Sequence, residues 1–200
     1  MKLIIKLATL VLSLSVLLAC EPKGPSPEQI AAEQQAKALY DSAKMDYDKY
    51  QEWRKRANDS AHSMSSLGLK MKSLTLNPQD ISSSSYKEIV QAYEDVAKKL
   101  NDVADELTNL QFNDPAFDEI KTKGSEAFKT LATLTQESIP YLTKEMPTTL
   151  RNDMVNRRKQ AVNIINNHLV SLENNVIKSL KATANKYHEL HSQNEKLRKE

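Results

Sequence analysis

Seven residues, Ile89, Tyr93, Val96, Leu100, Val103, Leu107 and Leu110, follow one another in unbroken steps of four and three. That spacing returns to one side of a helix and builds a stripe for burial. A strand, with its period of two, would scatter the same residues over both faces. No segment of the chain combines strict alternation with β-branched residues, so the fold reads as all-α. Aromatic residues make up only 6% of the chain, so its core leans on Leu, Ile, Val, Ala and Met.

Prolines and capping signals divide the chain into four helices. The first is expected from Pro27 to Leu74, opened by the capping-box pair Ser26 and Gln29. One of its seams, Ala36, Ala43, Tyr50, Ala57, Met64 and Met71, repeats every seven residues. A second reads Tyr40, Tyr47, Arg54, Ala61 and Gly68, and Leu39, Trp53, Leu67 and Leu74 widen the face. Pro78 marks a turn. The second helix is expected from Tyr86 to Leu110, capped by Ser85 with Glu88. The third follows Asp114-Pro115, an N-cap with Pro at the first helical position, and runs to Ile139 along Phe117, Ile120, Gly124, Ala127, Leu131 and Leu134. Pro140 and Pro147 bracket a short connection. The fourth spans Thr148–Leu197 on a uniform heptad: Val155, Val162, Leu169, Val176, Thr183, Leu190 and Leu197.

At 1.5 Å per residue the outer helices are each about 70 Å long and the middle two about 40 Å. The short Gln111–Asp114 connection makes the middle pair an antiparallel hairpin. The expected architecture is therefore an elongated up-down-up-down four-helix bundle. Its two outer helices extend as an antiparallel coiled-coil stalk, about Pro27–Tyr47 against Val176–Glu200. Acidic residues prevail in the first stalk segment and basic ones in the second, which favours their pairing weakly. A heptad face closes equally well within one chain or between copies, so a homo-oligomer fits the same pattern.

The amino end carries different information. A basic start, Met1-Lys2-Leu3-Ile4-Ile5-Lys6, precedes an apolar run from Leu7 to Ala19, and Leu17-Leu18-Ala19-Cys20 closes it. The order resembles the signal peptide and lipobox of bacterial lipoproteins. The apolar run is short for a membrane span, which needs roughly 20 residues, and Cys20 is the only cysteine. The resemblance implies a leader over 1–19, cleavage before Cys20, and acyl chains on that residue. A lipidated tether would cover 20–26, with a single helical domain over 27–200. Two or more acyl chains anchor a protein stably where one does so marginally. Glu21 directly after the cysteine resembles the outer-membrane sorting signal of Gram-negative lipoproteins. In a Gram-positive source the anchor would sit in the outer leaflet of the cytoplasmic membrane.

Charge excludes one class of partner. The leader takes Lys2 and Lys6 with it, leaving 26 basic side chains against 26 acidic ones. A neutral chain has no bulk attraction for nucleic acid, and there is no glycine-rich loop for phosphate. Among candidate sites, His188 and His191 are the metal candidates, one turn apart on one helix face, with Glu33 as a conceivable third ligand. Two histidines fall short of the usual three or four ligands, so no metal is assigned. No Glu-x-x-His occurs, which excludes the di-iron carboxylate pattern. His168, Arg158 and Arg54 near the seams read as polar groups satisfied within the bundle. Arg157-Arg158-Lys159 reads first as a solvated face and second as a phosphate or anionic-polymer site, Ser82–Ser85 as loop and cap, and Tyr40, Tyr47 and Tyr50 first as packing and second as a ligand groove where stalk meets bundle.

No catalytic residue and no cofactor is assigned. The expected function is a membrane-anchored, non-enzymatic module of the cell envelope, held to the bilayer through acylated Cys20 and presenting its bundle to an envelope protein or polymer. The alternative is a binding protein for a small apolar ligand or a metal within the bundle.

Overall fold

The computed structural model describes residues 24–73 and 84–199, with the backbone alone for 68–73. The leader, Cys20, the start of the tether, Leu74, Pro78 and Ser82–Ser83 lie outside the described residues, as do the side chains of Gly68 and Met71. The described chain is all-α, with a four-helix architecture. Helix α1 runs Pro27–Ser73, α2 Ser84–Asn109 and α3 Ala116–Ser138. A 3-10 turn, Ile139–Tyr141, follows. The last rod comprises α4 (Thr148–Asn163), a π turn (Ile164–His168) and α5 (Leu169–Leu197). Helix α1 packs on α2 and α5, α2 on α3, and α3 on both α4 and α5.

Local chemistry explains the boundaries. Ser26 and Gln29 form the reciprocal box that opens α1: Gln29 Oε1 accepts the Ser26 N–H at 2.7 Å, and Ser26 Oγ accepts the Gln29 N–H at 3.2 Å. Asp114 opens α3 by accepting the Ala116 N–H at 2.9 Å, and Pro115 already holds helical angles. At α2 the expectation shifts. The helix begins at Ser84, so Ser85 lies inside the first turn instead of capping it.

The core runs through the seam of α2. Ile89, Leu100 and Leu107 are fully buried, and Leu100 and Leu107 share one cluster with Phe117, Ile120 and Ala127 of α3. Gly124 lets the helices close up there: a Cβ at that position would fall 2.6 Å from Leu107 Cδ2 and 3.5 Å from Leu169 Cδ1. Helix α1 departs from its uniform seam. Leu39 is 58% exposed and Ala61 is exposed, whereas Asp46, Tyr50, Trp53, Ala57 and Ser60 are buried. The buried positions step by four and three and so keep to one face; Asp46, Trp53 and Ser60 each sit one residue ahead of the expected Tyr47, Arg54 and Ala61.

The last rod gives the clearest correction. The uniform heptad places Val155 and Val162 inside, but both are exposed, and Met154 and Ala161 are buried instead. From there the buried positions continue at Leu169 and Val176. The intervals are seven, eight and seven. The extra residue sits in the π turn, where the Leu169 N–H bonds the Ile164 carbonyl five residues back instead of four. Everything before the turn is therefore one position out of phase with the heptad after it.

Asp46 ties the two middle helices to the first. Its carboxylate is fully buried and accepts the N–H of Asn113 at 2.6 Å and of Asp114 at 2.9 Å, both in the α2–α3 turn. Lys49 Nζ lies 3.5 Å from the same carboxylate and donates to the Gln111 carbonyl at 2.9 Å.

Candidate functional site: an arginine-rimmed cleft and a polar clasp

Two arrangements stand out, at opposite ends of the molecule. The first lies where α1 ends, α2 begins, α3 ends and α4 begins, away from the α2–α3 turn. It is a cleft of about 280 Å³. Leu131, Leu134, Thr135 and Met154 are buried at its floor. Met64, Leu67, Tyr93 and Met146 are half-buried along its walls. The hydroxyls of Thr135 and Ser138 donate to their own helix, to the carbonyls of Leu131 and Leu134, each at 2.8 Å. Their polarity is thus turned away from the cavity.

The rim is exposed and carries Arg151, Val155 and Arg158, all on α4. Among the described residues no carboxylate lines the cleft. Arg157, next in sequence, is committed elsewhere: it bonds Glu137 at 3.0 Å and Asp153 at 3.4 Å. Among the described residues Arg151 and Arg158 make no ion pair; the Arg151 guanidinium reaches only the Met146 carbonyl, at 3.4 Å. Burial pushes the Tyr93 hydroxyl above its ordinary range, and the nearby Arg158 charge pulls it partly back.

The second arrangement joins the two ends of the chain. Glu33 Oε1 lies 2.6 Å from His191 Nδ1, and Glu33 Oε2 accepts from Asn194 Nδ2 at 2.7 Å. Arg198 lies 3.5 Å away and also holds Glu195. Asn194 is buried and donates a second bond to the Gln29 carbonyl at 3.1 Å. Two turns inward, Tyr40 stacks on Tyr187 with ring centres 6.0 Å apart. Glu33 thus does reach His191, but as one end of a carboxylate clasp, while His188 packs against the rings of Tyr40 and Tyr187. Among the described residues no three His, Cys, Asp or Glu side chains group as metal ligands would.

Arg158, expected to be satisfied within the bundle, is instead exposed and makes no ion pair among the described residues, whereas Arg54 and His168 find partners. Arg54 pairs with Glu173 on α5, which also bonds Gln51 at 2.8 Å. His168 Nε2 lies 3.0 Å from Glu119. Tyr50 is buried in the core, Tyr47 packs against it, and Tyr40 joins the clasp end.

The clasp makes a pH prediction. Hydrogen bonds from Asn194 and His191, aided by the Arg198 charge, hold the Glu33 carboxyl below its ordinary value of 4.5. A carboxylate with a depressed folded value stabilises the fold above its unfolded value and ceases to do so as pH falls through the folded one. Glu33→Gln should therefore melt below the parent at pH 7, and the gap should shrink as the pH falls below the ordinary value of 4.5 and through the lower folded one. Paired thermal melts across that range check it; a gap indifferent to pH would show that the charge plays no part.

Residues 44–188 match the family model described as uncharacterised lipoprotein PM1805. The chain belongs to this family. The PM1805 lipoprotein match begins inside α1 and ends inside α5, so it takes in the α2–α3 turn, the π turn and the cleft, and leaves the Glu33–His191–Asn194 clasp outside. The family description states no activity. No curated protein and no solved structure matches the chain. Among the described residues no helix is long and apolar enough to cross a membrane.

Proposed function

We propose that this PM1805-family lipoprotein is a non-enzymatic module of the cell envelope, anchored by acyl chains on Cys20. Its four-helix end would stand away from the bilayer on the paired ends of α1 and α5. One observation carries this reading: the clasp of Glu33 with His191 and Asn194, close behind the lipobox, fastens the carboxyl-terminal end of the chain to the segment that leads from the anchor. With the Tyr40–Tyr187 stack and the Arg54–Glu173 pair, these contacts follow one antiparallel register. That register supports an antiparallel coiled-coil stalk and an up-down-up-down chain path. Glu21 favours the outer membrane, with the domain facing the periplasm or the cell surface.

In this reading the bundle presents its surface to an envelope protein or polymer. Cys20→Ser should move the protein from the membrane fraction to the soluble one, and crosslinking of the anchored parent should capture an envelope component. Retention of the Cys20→Ser variant on membranes would refute the lipid anchor. A measured turnover that depends on a named side chain would refute the non-enzymatic role.

The cleft favours a second reading, a carrier or sensor of a small apolar ligand. It has an apolar floor, three methionines that adapt to irregular shapes, and a volume near the lower end of the roughly 300–1,000 Å³ typical of ligand sites.

A further inference from the structure

We propose that the cleft binds a single-chain acyl amphiphile with an anionic head, carboxylate or phosphate, its chain on the floor and its head between Arg151 and Arg158. The proposal rests on the small-ligand reading above and narrows its chemistry. Three observations converge on it.

The first is the division of the cavity by polarity. Leu131, Leu134 and Met154 make the floor apolar. The hydroxyls of Thr135 and Ser138 are spent on their own helix, so nothing deep in the cleft asks for a polar ligand group. A polar molecule would leave its own groups unpaired there.

The second is the charge at the mouth. Arg151 and Arg158 are seven residues apart on α4, which places both on one helix face, two turns apart. Among the described residues no lining side chain is acidic, and neither arginine makes an ion pair. Guanidinium groups without a carboxylate partner suit a planar or tetrahedral oxyanion, which they hold by two parallel bonds. The contrast with Arg157, held by Glu137 and Asp153, separates a committed arginine from two available ones on the same helix.

The third is size. About 280 Å³ is too little for a two-chain lipid and suits one short or medium chain. Val155, 57% exposed, lies between the two arginines and gives the chain an apolar step from rim to floor.

The test uses the full acylated chain in phosphatidylcholine nanodiscs, with empty nanodiscs subtracted. Tritiated decanoic acid is the reporter. Straight-chain carboxylates and alkyl phosphates of eight to fourteen carbons compete with it below their micelle-forming concentrations, beside neutral alcohols of equal length. Affinity should rise about fourfold per added methylene until the cleft is full, and then level off. Arg151→Gln with Arg158→Gln should weaken the anionic ligands roughly tenfold or more and leave the alcohols unchanged. Val155→Trp should block all of them while the melting curve stays that of the parent, because the position is exposed. Stronger competition by carboxylates would identify a fatty acid, and stronger competition by phosphates a lysophospholipid-type head; either supports the proposal. Alcohols that bind as tightly as carboxylates would overturn the anionic head and leave the small-ligand reading standing. No saturable binding by any chain, or binding that Val155→Trp leaves intact, would overturn both.

Discussion

Trp53→Ala should cost about 3–5 kcal/mol, the range for deleting a large aromatic ring from a packed core. A single domain of this size has roughly 5–15 kcal/mol in all, so the variant should unfold at a much lower denaturant concentration. Trp53 is 1% exposed. Its ring meets Phe128 edge-on at 5.8 Å and lies 5.6 Å from Tyr50, and its indole N–H donates to the Val103 carbonyl at 2.9 Å. One side chain of α1 thereby touches both α2 and α3. Trp53→Phe keeps most of the apolar area and gives up the bond, so it should cost nearer 1 kcal/mol. Urea titrations followed by circular dichroism would separate the two. An Ala variant as stable as the parent would mean that α1 does not pack on the hairpin through this ring.

Asp46→Ala should be the second most damaging change. It removes the acceptor for the N–H groups of Asn113 and Asp114. A hydrogen bond to a charged group contributes about 1.5–3 kcal/mol; both amides lie in a part-buried turn that water can reach, so a loss of about 2–4 kcal/mol is expected. Asp46→Asn retains one acceptor oxygen and should fall between parent and Ala variant. Hydrogen exchange adds a local readout, because the Asn113 and Asp114 amides should lose protection ahead of the helix interiors. Unchanged protection at those amides would show that the contact does not hold the turn.

How far these elements can be read from sequence depends on whether their causes are local. The α2 seam is legible because one face serves one side from Ile89 to Leu107, and every step reports it. The Ser26–Gln29 box and the Asp114-Pro115 start are legible because the partners lie within three residues. The register of the last helix is not. Val155 and Val162 satisfy a heptad as well as Met154 and Ala161 do, and periodicity alone cannot mark a residue absorbed by a wide turn. Leu39 misleads in a similar way: it has the right character on a face that no helix covers. Asp46 reads as one more surface charge, since its partners lie 67 and 68 residues away.

The two candidate sites differ for the same reason. Glu33 as a companion for His191 follows from an antiparallel pairing of the outer helices, so sequence reaches it, although as a metal ligand and not as an acceptor for His191 and Asn194. The cleft draws on Met64, Tyr93, Leu134 and Arg158, from four elements joined by no motif. Arg157-Arg158-Lys159 is visible as a basic cluster, but which of its members is neutralised depends on where Glu137 and Asp153 come to lie.

The wide turn at Ile164–His168 works as a phase adjuster between two instruments on one shaft. Each residue of an ordinary helix advances the side-chain direction by about 100°. Rewinding that single turn would swing Arg151, Met154 and Arg158 about a quarter-circle away from their cavity, while His191 and Asn194 kept their grip on Glu33. The rod thus carries two independently aimed ends, and the aim of the far one is set by a five-residue segment that touches neither.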